Sequence, residues 1–246
     1  MAETTTQQRV RVEEIGKRVR GYLGGELVVD STRPRLAWEL HYPSYYFPEE
    51  DVRTELLSAS TTTKSHPKLG EARLFNVKGG TKVAGDAAWQ YPDSPTEELR
   101  GMIRFDFKAL DAWFEEEEPL TISPKDPYHR IDVLESSRHV VVRVNGVSVA
   151  DSRRPRLIFE TGLRTRYYLP LIDVRIDLLQ PTATSSGCPY KGAASYWSVE
   201  AGGEVIDDLA WGYKTPLAEA TKLAGLVCFW AEKSDKVELL VDGVKQ

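Results

Sequence analysis

The chain contains most of itself twice. VVDSTRPRLAWE at 28–39 returns as VADSRRPRLIFE at 149–160, and YYFPEEDVRTELL at 45–57 returns as YYLPLIDVRIDLL at 167–179. The offset is 121 residues in the first pair and 122 in the second, so one residue is inserted between them. Trp89 and Tyr91 recur as Trp211 and Tyr213, and Phe105 as Phe229 after two further insertions. Collinear matches over about ninety residues make each half one structural unit, because a repeated sequence repeats its fold. Two such units are expected to pack as a pseudo-twofold pair, as a homodimer would.

The expected division is a first repeat at 1–118, a linker at 119–130 and a second repeat at 131–246. It rests on EEEEPLTISPKDPYHR at 115–130, a run of four glutamates followed by three prolines with little apolar content. Such a segment reads as an exposed, self-repelling linker.

Within each half the pattern is β. HVVVRVNGVSVADS carries two β-rich runs around Asn145-Gly146, a strong hairpin signal. PRLIFE alternates, with Arg156, Ile158 and Glu160 on one face and Leu157 and Phe159 on the other. AASYWSVEAGGEVIDDLAWGY reads as two strands joined at Gly202-Gly203, and GLVCFWAE as a strand buried on both faces. Only LAEATKLAG at 217–225 reads as helical. The expected class is all-β with short helical turns, in two tandem homologous domains.

Composition removes several functions. A net charge of -5 argues against a dedicated nucleic-acid binder. Two cysteines, Cys188 and Cys228, are too few for a Cys-rich zinc site or a disulfide framework. The longest uncharged apolar run, 223–231, is about half of what a membrane span needs. The polar start, MAETTTQQRVRVEE, has no apolar core of a secretion signal, so a cytoplasmic protein is expected, with neither membrane nor nucleic acid as partner.

A duplicated chain carries its own control: positions kept in both copies serve the fold, and positions present in one are free for function. The largest divergence sets SGCPYKGAASYWSV at 186–199 against KSHPKLGEARLFNV at 64–77. Pro189 and Gly192 keep the turn of Pro67 and Gly70, while Cys188, Tyr190 and Lys191 stand against His66, Lys68 and Leu69. Lys191 is the leading candidate, as a point charge for an anion or as a base. Tyr190 is its neighbour in acid–base work, and Cys188 a thiol whose nearest histidines, His129 and His139, lie about fifty residues upstream. Arg154, Arg156 and Arg175 offer forked groups for carboxylate or phosphate, or else pair with Glu160, Asp173 and Asp177 as a framework that the first half repeats. Glu160 supplies a carboxylate, and Tyr168 and Trp197 the apolar walls of a pocket. Asp208, matched by Asp86, reads as a turn or hydrogen-bonding residue.

VADSRRPRLIFE, RYYLPLIDVRIDLL, CPYKGAASYWSV and DLAWGY together resemble the family called "domain of unknown function 427", whose members are also labelled nucleotidyltransferases. The resemblance is strong over 140–243, and the first half shares it without CPYKG. It implies a compact β-tent fold and no established reaction or cofactor. A Gly-rich phosphate loop leading into a helix and a paired-Asp metal motif are both missing from the sequence. The leading expectation is that the second repeat binds an anionic or oxygen-rich small molecule, without metal or other cofactor, and that any chemistry there is acid–base. The alternatives are a non-catalytic protein-interaction module and, third, nucleotide binding or nucleotidyl transfer. Either a monomer with an internal pseudo-dimer or a homodimer fits.

Overall fold

A computed structural model describes residues 10–40, 42–120 and 122–246. The chain divides into two compact units, Met1–Asp126 and Pro127–Gln246. Each unit holds one seven-stranded and one four-stranded antiparallel sheet. In the second unit the large sheet runs, in spatial order, Ile131–Glu135, Arg156–Glu160, Arg166–Pro170, Leu226–Phe229, Glu204–Tyr213, Gly192–Ala201 and Leu179–Cys188. The small sheet runs Val147–Ser152, Val140–Val144, Val237–Val241 and Val244–Lys245. The first unit repeats both orders strand for strand, from Arg11–Glu14 to Leu57–His66 and from Glu26–Ser31 to Glu118–Leu120. The sequence repeat is therefore a repeat of topology.

Local chemistry explains the turns. Asn145 and Gly146 both adopt positive φ, 49° and 78°, the handedness a two-residue hairpin needs. Gly202 turns the neighbouring hairpin at φ +63°, and a Cβ there would meet the Cβ of Asn145 at 2.7 Å, so the two turns touch only because one lacks a side chain. Residues 217–225 form no α-helix. Two 3-10 turns meet at Ala218–Leu223 with a break at Ala220.

The inner strands of the large sheet are buried on both faces, while its edge strand Leu179–Cys188 is largely exposed. Between the sheets of the second unit lie Val140, Val142, Val199, Leu209, Val227 and Phe229. On the opposite face Ile158, Tyr168, Tyr213, Leu226 and Cys228 pack under Ala220 and Leu223 of the 3-10 segment. Alternation delivers Leu226–Phe229 to both cores in turn, which is why that strand is apolar throughout.

The four-glutamate run is not a linker. Glu115 pairs with Glu118 across a hairpin whose strands are Ala112–Glu115 and Glu118–Leu120. Lys17 pairs with Glu115 at 2.7 Å and Arg20 with Glu117 at 2.9 Å, so cations offset part of the repulsion expected of bare glutamates.

Candidate functional site

The turn at Cys188–Gly192 closes a hairpin of two ten-residue strands, with Cys188 paired to Gly192. Leu217 donates its amide to the Lys191 carbonyl at 3.1 Å, which ties the turn to the segment covering the outer core. Held this way, Tyr190 and Lys191 are buried, at 7% and 9% exposure. The Lys191 ammonium donates to Glu160 Oε1. Glu160 ends its strand on the same face as Ile158, and its other oxygen faces His129 Nε2 at 3.4 Å. The imidazole of His129 stacks on the Tyr190 ring at 4.4 Å and 22°. One buried carboxylate thus bridges an ammonium and an imidazole, and a phenol forms the wall.

Tyr168 accepts a hydrogen bond from the Trp211 indole at 2.9 Å. Burial pushes its phenol well above the ordinary range, with further upward pressure from Cys228, Tyr213 and Glu160. Tyr213 is raised for the same first reason, with Cys188 and Glu160 adding to it. These phenols are neutral hydrogen-bonding walls at any physiological pH.

The first unit shows which parts belong to the fold. Its equivalent carboxylate, Glu39, accepts the Tyr46 hydroxyl at 2.6 Å and the Arg104 guanidinium at 2.6 Å. Leu69, fully buried, takes the place of Lys191. Arg104 pairs in register with Tyr46 and Trp89, and Cys228 pairs with Tyr168 and Trp211, so Arg104 and Cys228 occupy equivalent points. A buried carboxylate demands a cation. One unit supplies it rigidly from a strand, the other from a turn.

The remaining candidates do not join this group. Arg154 binds Asp173 at 2.7 Å with Ser152 on the same carboxylate, as Arg33 and Ser31 bind Asp51. Arg175 pairs with Asp177 at 2.6 Å, as Arg53 pairs with Glu55. Arg156 donates to the Lys222 carbonyl and to Glu135 at 3.2 Å, as Arg35 donates to the Glu98 carbonyl and to Glu14. All three repeat in both units and serve as framework. Trp197 packs into the core between the sheets, on the face away from Tyr168, because it sits one residue out of phase with Tyr196. Cys188 lies half-buried at the edge of the outer core. Asp208, at φ 45°, accepts hydrogen bonds from Thr182 and Thr184, as Asp86 accepts them from Ser60 and Thr62. Among the described residues no group of three or more His, Cys, Asp and Glu side chains is placed to hold a metal.

His129, weighed in the sequence only as a distant histidine for Cys188, is the residue whose place beside Glu160 and Tyr190 reading the sequence missed. It falls in 119–130, set aside as a linker, and no motif couples it to Glu160 thirty-one positions later. Only the pairing of Ile131 with Glu160 at the sheet edge brings it there.

A family model described as Domain of unknown function (DUF427) matches residues 11–116 and again 132–242. No curated protein matches the chain.

Proposed function

The chain belongs to the DUF427 family, once in each unit, and from that premise we propose that the second unit binds an anionic or oxygen-rich small molecule at the Lys191 turn. Lys191 and Glu160 are the proton-handling pair, His129 orients the carboxylate, and Tyr190 is the wall. The observation that supports this reading is the exchange of cations: a strand arginine would neutralise the carboxylate, as Arg104 does for Glu39, yet the second unit carries the charge on a turn as a lysine. Lysine is a compact charge that can surrender its proton, whereas arginine keeps its own.

The test is a thermal-shift screen of metabolites on the wild type, on Tyr190→Phe and on Lys191→Leu/Cys228→Arg, which copies the neutralisation of the first unit. A ligand that stabilises the wild type but not the double variant supports the site. A screen without hits, or equal shifts in both proteins, overturns it. Nucleoside triphosphates with magnesium form a separate arm, and a shift confined to them favours the nucleotide reading.

One observation favours an interaction module instead. Leu171, Ile172 and Ile176 are exposed, Ile172 at 81%, where the first unit has Glu49, Glu50 and Thr54. Exposed apolar groups gathered on one surface mark contact sites. Under that reading Ile172→Glu abolishes association measured by analytical ultracentrifugation.

A further inference from the structure

The second unit has a cleft of about 610 Å³ at one end of its sandwich, and none of Lys191, Glu160, His129 or Tyr190 lines it. Its floor includes Val142, Phe229, Ala231 and Leu239, and its rim Arg164, Arg166 and Glu232. Volumes of a few hundred Å³ over an apolar floor with a few polar groups are typical of small-molecule sites.

The first unit shows why the cleft is there. Trp113 lies opposite Gly21, as Leu239 lies opposite Val142 in the second unit. The Trp113 indole stacks on Phe107 at 5.3 Å and 8° and on Phe47 at 5.9 Å and 13°, and donates to the Phe107 carbonyl at 2.9 Å. Leu169 replaces Phe47 in register, and Ala231 stands two residues beyond Phe229 as Phe107 stands two beyond Phe105. Three stacked aromatic rings fill the space in one unit. In the other, Leu239 and Ala231 take the places of two of those rings and line the cleft, and the smaller Leu169 takes the third.

The rim sets the chemistry. Arg164 and Arg166 both bind Glu232, at 2.5 Å and 2.8 Å, each through Nη1 alone. Among the described residues their other guanidinium N–H groups meet no protein acceptor. Asp235, the other rim carboxylate, accepts from Ser234 and from neither arginine, and Lys245 is held by Glu238. Spare forked donors beside an apolar floor match a carboxylate on an apolar body.

We propose that this cleft is a second ligand site, for an amphipathic carboxylate whose chain or ring lies on Phe229, Ala231 and Leu239 and whose head binds Arg164 and Arg166. The reading is independent of the Lys191 site.

Titration calorimetry of the full chain with decanoate and decanol tests it. Saturable one-to-one binding of decanoate is expected, with decanol and the exposed-rim variant Arg164→Ala each weaker by about fivefold or more. Ala231→Phe, which restores one ring of the plug, is expected to abolish binding, with Leu239→Phe as a second filler should circular dichroism show the first to be unfolded. Tyr190→Phe is expected to bind as wild type does. Absence of decanoate binding, or unchanged binding in a folded filled variant, overturns the site. Equal affinity for decanol overturns the role of the arginines, and loss in Tyr190→Phe overturns the independence of the two sites.

Discussion

Gly21 lies in register against Trp113, and a Cβ at Gly21 would stand 2.8 Å from the indole ring and 2.8 Å from Leu110. The indole can neither rise nor tilt without leaving its stack on Phe47 and Phe107. Gly21→Ala should therefore destabilise the first unit by about 1–3 kcal/mol, the usual cost of overpacking, and Gly21→Val, the residue of the other copy, by more. Urea denaturation followed by tryptophan fluorescence measures this. A wild-type midpoint in Gly21→Val would mean that the stack is loose.

The cation exchange between the units predicts a rescue. Lys191→Leu leaves the carboxylate of Glu160 buried without its ammonium, and losing one member of a buried pair costs about 3–5 kcal/mol. Adding Cys228→Arg places a guanidinium where Arg104 stands beside Glu39, and should return most of that loss. Chemical denaturation of the two single variants and the double variant gives the coupling directly. Additive losses would show that the two units do not neutralise their carboxylates interchangeably.

Much of the fold was legible because it was written twice. The 121-residue repeat, the Asn145-Gly146 turn and the apolar Leu226–Phe229 strand all foretold their places. The site was legible only in part. Lys191 and Tyr190 stood out against Leu69 and Lys68, but the partner of Lys191 depended on which strand edge met the turn. His129 was hidden by its prolines and charged neighbours, which look the same in a linker and in a segment laid against a sheet edge. Trp197 failed for a simpler reason: a one-residue step along a strand reverses the face.

Acid should weaken both units through the same kind of group. Arg154, with Ser152, holds Asp173 below the usual carboxylate range, and Arg33 with Ser31 holds Asp51 there against the opposing effect of burial. A carboxyl depressed in the folded state adds stability above its unfolded value, about 3.9, and that stability is lost as pH falls through the folded value. Urea midpoints should thus be flat from about pH 7 to 5 and fall below about pH 4. Asp173→Asn should lower the neutral plateau and make the acid fall shallower. An equally steep fall in that variant would assign acid lability to other groups.

The two thiols should differ sharply in reactivity. Cys228 is 1% exposed, and desolvation pushes its thiol up to about 12 against the opposing pull of Arg166 and of a backbone hydrogen bond from Tyr167. At about pH 8 such a thiol is roughly one part in ten thousand thiolate, and reagent cannot reach it while the sheet is closed. Cys188 lies half-buried at the end of its strand, next to the turn. A disulfide reagent should therefore titrate one thiol quickly, and Cys188→Ser should remove that phase. Cys228 should then react only as the second unit opens, at a rate that rises with urea in step with unfolding. Rapid labelling of Cys228 in native protein would mean that the strand Leu226–Phe229 is not closed over on both faces, and the outer core beneath the Lys191 turn would lose its floor.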